Sequence, residues 1–256
     1  REKERTALWR AFVDVNDFHK PRAITIRGLA GTGKSRLAEW LFQTTQESGA
    51  AVGYRATHQA EPGAMHGLPW MLTERFRCAG LRSSDTYARV YRVLKEYGPV
   101  DEQEARALAS MMRVERTDDE PVSGRKTTQI SLTVEQRVDF IRREIVRTAG
   151  DRVAVIWLDD AIWDRESIQL VQTVLNLETD PILFVLTVRE EALAEDPRAR
   201  EALEAITHSR RLSTINLEFF DDETFERLIR DGLMLTRPAA ALVSSQCDGS
   251  PLYATQ

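Results

Sequence analysis

A three-layer α/β fold around a mainly parallel, five-stranded sheet is what this sequence predicts. Three observations point to it. Short apolar runs alternate with helical patterns along the chain. The runs are nearly continuous in Val, Ile and Leu, as a sheet covered on both faces requires. A glycine-rich segment joins the first strand to the clearest early helix.

Taken in order, strands are expected at Ala23–Arg27, Ala51–Arg55, Val153–Leu158, Ile182–Val188 and Ser213–Leu217. Helices are clearest at Lys34–Glu47, with Leu37, Trp40, Leu41 and Thr44 on one side, and at Thr133–Thr148, with Val134, Val138, Ile141 and Ile145 on one face. Met65–Arg113 carries helical patterning and no strand, which reads as an insertion beside the sheet. Glu115–Ile130 contains Asp-Asp-Glu-Pro and Ser-Gly-Arg-Lys without periodicity, the composition of a mobile loop. After Leu217 two short helices follow, near Asp221–Asp231 and Pro238–Cys247, with Asp221 placed to cap the first. The organisation expected is therefore a sheet domain at 1–214, with a helical insertion at about 65–130, and a helical lid at 215–256.

The 256 residues amount to roughly 1.7 average domains, one large unit with a satellite. With 42% hydrophobic and 29% charged residues the chain is of ordinary globular composition, which excludes wholesale disorder and a disulfide scaffold. The longest apolar runs are strand-length, far below the ~20 residues a membrane helix needs. A net charge of −5 provides no global field for nucleic acid and argues against it as the main partner. Cys78 and Cys247 are far apart, outside any metal-ligand spacing, and read as buried thiols in a reducing, cytoplasmic setting. None of the four histidines shows ligand spacing. Arg75, Arg77, Arg82, Arg89 and Arg92, interleaved with Trp70, Phe76, Tyr87 and Tyr91, read as a solvated amphipathic face. A start at Arg1 without methionine, and an end at Gln256 just as a helix begins, are expected of a piece of a longer chain.

The chemistry lies in Gly28-Leu29-Ala30-Gly31-Thr32-Gly33-Lys34-Ser35, which fits G-x-x-x-x-G-K-[ST] between a strand and a helix, the pattern of a P-loop NTPase. Glycines fold the backbone into a nest of inward N–H groups, and the helix start adds its positive dipole end. Gly28, Ala30, Gly31, Thr32, Gly33, Lys34, Ser35 and Arg36 are thus expected at the phosphates of ATP or ADP, with Lys34 reaching the β- and γ-phosphates and Ser35 ligating Mg²⁺. The run Val153–Leu158 ends in Asp159-Asp160: Asp159 is assigned to Mg²⁺, and Asp160 to orienting or deprotonating the attacking water.

Four further segments resemble the STAND branch of AAA-like P-loop ATPases, in particular its bacterial signalling members. Arg1-Glu2-Lys3-Glu4-Arg5 with Leu8 resembles the Gly-Arg-Glu-x-Glu segment over the adenine, Asp159-Asp160-Ala161-Ile162-Trp163 the Asp-Asp-x-x-Trp extension of Walker B, Thr187-Val188-Arg189 the Thr-x-Arg sensor, and Gly249-Ser250-Pro251-Leu252 the Gly-x-Pro-Leu motif. The resemblance implies Arg1 and Pro251 at the base, Arg189 sensing the γ-phosphate, a winged-helix domain beyond the chain's end and a homo-oligomer on activation. Arg189–Ala194 and Gly249–Gln256 are most similar to large bacterial Ser/Thr kinases that carry such an ATPase between kinase and tetratricopeptide repeats. Arg210 and Arg211 occupy a place where this class can put an arginine finger. Ile162 departs from the family, where a polar residue precedes the tryptophan, and the acid expected after it is Asp164 or Glu166. The function expected is an ATP-hydrolysing switch. The alternatives are a nucleotide-bound interaction module without turnover, and the ATPase of an origin-recognition-like or LuxR-type DNA-binding regulator.

Overall fold

The computed structural model describes residues 1–61, 63, 65–112, 131–245 and 247. Strands β1 (Arg22–Gly28), β2 (Ala51–Thr57), β3 (Val153–Asp159), β4 (Ile182–Arg189) and β5 (Leu212–Asn216) form one sheet in the order β2-β3-β4-β1-β5. Every pairing is parallel. Parallel neighbours need crossovers, and these carry helices to both faces of the sheet.

The central strands show why two layers are needed. Val153, Val155 and Trp157 of β3, with Leu183 and Val185 of β4, pack into the core under α1 (Glu2–Phe18) and α2 (Lys34–Glu47). The alternate residues Ala154, Ile156, Leu158, Ile182, Phe184, Leu186 and Val188 pack into the opposite core. That second layer comprises α3 (Gly67–Phe76), α4 (Ser83–Lys95), α5 (Glu102–Met111), α6 (Val134–Ala149), α7 (Arg165–Leu177), α8 (Glu190–Glu195) and α9 (Pro197–Thr207). The period of two in side-chain direction turns one apolar run into two buried faces. β5 departs from the expectation of a strand covered on both faces: Ser213 and Thr214 are exposed. It is an edge strand with β1 as its one neighbour, and Thr25 and Thr214 share a hydroxyl hydrogen bond of 2.9 Å across that pair.

Helix starts follow local chemistry. Thr133 and Gln136 form a reciprocal capping box at α6, and Asp101, Asp164 and Asp196 accept backbone N–H groups at α5, α7 and α9, worth about 1 kcal/mol each. α1, α7 and α9 are not among the helices that the periodicity singles out, although Leu8, Ala11, Phe12 and Val15 of α1 are buried at helical spacing. Beyond β5, α10 (Asp222–Gly232), capped by Asp221, and α11 (Arg237–Ser244) enclose a small core of Phe225, Ile229, Ala240 and Cys247. Cys78 and Cys247 are both buried and free. The loop expected at 115–130 and the Gly249–Leu252 motif, with Pro251, lie outside the described residues. Among the described residues no helix is long and apolar enough to cross a membrane.

The reading of the basic run as a solvated face is corrected at two positions. Arg77, Arg82 and Arg92 are exposed, but Arg75 turns inward, its Nε 3.2 Å from Glu144 Oε1 and its Nη2 donating to Thr148 Oγ1 at 2.9 Å. Arg89 likewise donates from Nε to the Phe76 carbonyl at 3.2 Å. The physical reason at Arg75 is Glu144, which is wholly buried on α6 and needs a counter-charge. Tyr54 and Thr148 hydroxyls complete its shell at 3.2 and 2.9 Å. Arg75→Met should therefore cost about 3 kcal/mol in urea unfolding, because it strands a buried carboxylate. Arg92→Met should stay within about 0.5 kcal/mol, and equal losses for the two would contradict this account.

Candidate nucleotide site

The parallel pairing delivers the C-terminal ends of β1, β4 and β3 to one edge of the sheet. Gly28 stands opposite Arg189, and Leu158 opposite Leu186, so Asp159 and Thr187 come side by side. From Gly28 the chain runs through the loop into α2. A Cβ on Gly28 would lie 2.3 Å from the Leu217 carbonyl oxygen, so only glycine lets the segment after β5 pass. Gly33 has φ 94°, which again favours glycine. Thr32 is buried and donates from Oγ1 to the Leu29 carbonyl at 2.9 Å. Lys34 curls back over the loop, its Nζ donating to the carbonyls of Gly28 and Leu29 at 2.9 and 2.7 Å. Burial lowers the Lys34 pKa, while Glu191 and Asp160 oppose that shift.

Ser35 and Asp159, 124 positions apart, meet: Ser35 Oγ donates to Asp159 Oδ1 at 2.9 Å. The same carboxylate oxygen accepts from Thr187 Oγ1 at 2.6 Å, and Thr187 Oγ1 in turn accepts the Asp160 backbone N–H at 2.8 Å. Asp160 sits in the left-handed region, at φ 51° and ψ 45°. Its carboxylate lies 3.0 Å from Arg189 Nη2. Burial raises the Asp160 pKa, with Arg189 opposing and Asp159 adding to the rise.

The remaining assigned residues divide. Arg1 reaches the loop, its Nη2 donating to the Thr32 carbonyl at 3.1 Å and to the Glu218 carbonyl at 2.6 Å, and its guanidinium stacks 4.1 Å over the Phe220 ring. Beside it Arg27, Gly28, Leu29, Thr32, Asn216 and Leu217 help to line a hollow of about 330 Å³. The Arg36 side chain turns away to pair with Glu39 at 2.8 Å. Arg210 is exposed. Arg211 pairs with Glu178, and its carbonyl accepts the Ala23 N–H at the entry to β1, the sheet edge opposite the loop, so neither arginine reaches the loop of its own chain. Of the two acids after Trp163, Asp164 caps α7, while Glu166 forms a two-pronged pair with Arg137 at 2.8 and 3.1 Å.

Sequence reasoning assigns no role to several residues that the fold places here. Glu191, at the start of α8, accepts the Ala30 N–H at 2.7 Å, and its other oxygen is buried without a partner. Burial raises its pKa, but hydrogen bonds from the Ala30 N–H and its own N–H, with the Lys34 charge, hold it below the usual range. Its neighbour Glu190 grips Arg27 with both oxygens, at 2.8 and 3.1 Å. Arg55 stacks 3.9 Å over Trp157 with Nη2 3.7 Å from Asp159 Oδ2. His58, read as unassigned, is buried and meets the Asp159 carbonyl through Nδ1 at 2.8 Å. The available signal is register: Thr57 pairs with Asp159, which puts the next residue beside the acid turn.

These groups fit a nucleotide with its cation. A hydroxyl and a carboxylate in contact are the hard oxygen ligands Mg²⁺ takes when phosphates supply others. Arg189 Nε and Glu191 Oε2 are buried polar atoms without partners at the loop. Among the described residues no group of three or more His, Cys, Asp or Glu could hold a metal by itself.

No protein-family model and no curated protein matches the chain. Among solved structures, ORC1 of Aeropyrum pernix in complex with DNA aligns over 99% of this chain and 57% of its own, with TM-score 0.53 and 14% identity. The fold is an all-parallel α/β fold similar to that of ORC1, a AAA+ P-loop ATPase. A chain of the E. coli MS115-1 HORMA:CdnC:Trip13 complex aligns over 96% of this chain and 73% of its own, with TM-score 0.49 and 14% identity. The Drosophila ORC bound to DNA aligns over 92% and 49%, with TM-score 0.39 and 12% identity. The chain thus spans little more than half of the Aeropyrum protein.

Glu191 places a negative charge against Ala30 of the loop that the sequence assigns to phosphates. Glu191→Gln should tighten ATP binding by about threefold or more, equivalent to roughly 0.7 kcal/mol of relieved repulsion. Unchanged or weaker affinity in titration calorimetry would contradict that placement.

Proposed function

We propose that the chain is an ATP-binding and hydrolysing switch module of the STAND type, carried by a larger bacterial signal-transduction protein. The observation that carries this reading is the contact of Ser35 with Asp159 at 2.9 Å beside the loop, with Asp160 next to it on a turn held by Thr187. In this reading the amides of the loop and Lys34 bind the phosphates and offset their charge. Ser35 and Asp159 would hold Mg²⁺, which would supply positive charge against the phosphates there. Asp160 orients the attacking water and accepts its proton. Arg189, now paired with Asp160 at 3.0 Å, exchanges that partner for the γ-phosphate and so reports it. Residues 1–214 form the nucleotide-binding domain and 215–256 the lid, with Arg1 and Pro251 at the base. Flanking domains and copies of the same chain are the proposed partners.

The Arg189–Asp160 pair also favours a second reading, a module that keeps its nucleotide without turnover, since the guanidinium neutralises the acid that would act on water. The Aeropyrum protein is in complex with DNA. For this chain the net charge of −5 weighs against that partner.

Phosphate release by the purified protein separates the readings. The switch reading expects steady release from ATP, lost in Lys34→Ala together with nucleotide binding. It expects Asp160→Asn to bind ATP normally and turn over about 100-fold more slowly. Release no faster than in these variants, with nucleotide retained, would establish the non-hydrolysing module instead. Unchanged ATP affinity in Lys34→Ala would overturn both.

A further inference from the structure

We infer that His58 is a positioning residue for the acid turn: with Ser167 and Asp164 it grips the Asp159 carbonyl and so fixes where the Asp159 and Asp160 carboxylates stand. The inference rests on the proposed reading of those two acids as metal ligand and water-handling group.

His58 follows β2 directly and is 1% exposed. Burying an imidazole is costly unless its nitrogens are satisfied. Here the Asp159 carbonyl accepts two hydrogen bonds from this one residue, from its backbone N–H at 3.0 Å and from ring Nδ1 at 2.8 Å. The carbonyl has no proton to give, so Nδ1 carries one. Ring Nε2 lies 2.8 Å from Ser167 Oγ, and that hydroxyl lies 2.8 Å from Asp164 Oδ2. Asp164 is itself fixed, because its other oxygen accepts the Glu166 N–H at 3.1 Å as the cap of α7. Gly67 packs against it closely enough that a Cβ there would stand 3.1 Å from Oδ2. The His66 ring meets His58 edge-on at 5.5 Å.

The consequence is geometric. The peptide unit between Asp159 and Asp160 is planar, so fixing both its polar ends fixes its plane. His58 holds the C=O end and Thr187 Oγ1 holds the N–H end at 2.8 Å. With that plane set, Asp160 is kept at φ 51°, a conformation costly for a residue with a Cβ and sustained only where neighbours impose it. Removing the imidazole leaves that carbonyl with the residue-58 backbone N–H at 3.0 Å as its partner from this residue, a single bond that no longer sets the tilt of the peptide plane, so the turn relaxes, swinging the Asp160 carboxylate and shifting that of Asp159. Neither carboxylate is touched by the imidazole, which acts through the backbone.

Three substitutions isolate the grip. His58→Asn keeps an N–H donor where Nδ1 stands, His58→Gln keeps a polar group only toward Ser167, and His58→Ala removes both. Crystal structures of the nucleotide-free variants should show Asp160 at positive φ in His58→Asn and relaxed to negative φ in His58→Ala and His58→Gln. Calorimetry should show that the gain in ATP affinity on adding Mg²⁺ falls about 10-fold or more in His58→Ala and His58→Gln and is restored in His58→Asn, the size seen when groups behind metal ligands are removed. Turnover should follow the same order. A merely structural histidine would lower the melting temperature of His58→Asn and His58→Gln alike and would not split them in magnesium gain. Asp160 keeping positive φ in His58→Ala, or His58→Gln matching His58→Asn in magnesium gain, would overturn the inference. Should His58→Ala fail to fold, the Asn and Gln variants decide it. If the wild type releases no phosphate, the hydrolytic reading fails while the Asp160 conformation still tests the grip.

Discussion

The parallel register of β1 against β4 and of β4 against β3 is the constraint on which everything else depends. It sets Gly28 opposite Arg189 and Leu158 opposite Leu186, and thereby gathers the loop, the acid pair and Thr187 on one edge. A slip of one residue would turn every side chain to the other face. Phe184 and Leu186 would then leave the core shared with α6 and α7, and Thr187 would leave Asp159. The geometry of the site is therefore held by hydrophobic packing. The strand interiors are buried on both faces, and the polar residues begin where the strands emerge.

At that emergence charges are matched in a small volume. Lys34 feels the charges of Glu191, Asp160, Arg189 and Asp159, and burial raises the pKa of Asp160 while lowering that of Lys34. Both shifts say that the half-dry edge disfavours isolated charge. Pairing is the remedy the fold uses, with Arg189 on Asp160 and Glu191 beside Lys34. In the proposed reading an incoming polyanion with its cation would change the partners of these groups together, and a local binding event would thereby bias the surrounding elements.

What the sequence made legible was what is local. The loop motif, the apolar runs and the cap at Asp221 are each written within a few residues, and the five strands lie where those runs lie. The meeting of Ser35 with Asp159 followed from the chemistry a P-loop needs rather than from spacing. The inward turn of Arg75 was not legible, because its cause, Glu144, lies far along the chain on another helix. His58 and Glu191 were missed for the same reason. A lone histidine after a strand and one of two adjacent glutamates at a helix start carry no periodic or motif signal, and their roles arise from strand order, which composition does not encode.

The loop in this structure already has partners within its own protein. Lys34 holds the carbonyls of Gly28 and Leu29, Glu191 holds the Ala30 N–H, and Arg1 holds the Thr32 carbonyl. Arg1 binds the Glu218 carbonyl with the same nitrogen and stacks on Phe220, so the loop is tied to the segment that leads from β5 to α10 and α11. Phosphate binding to such a loop is an exchange of contacts, and its affinity is the difference between what is formed and what is released. Exchange of that kind reaches the C-terminal helices directly, because one guanidinium spans both sides. A ligand shifts a conformational equilibrium only by its differential affinity for the two states. In the proposed reading Arg1 is the contact through which such a differential would pass, since one guanidinium nitrogen holds both the Thr32 and the Glu218 carbonyls.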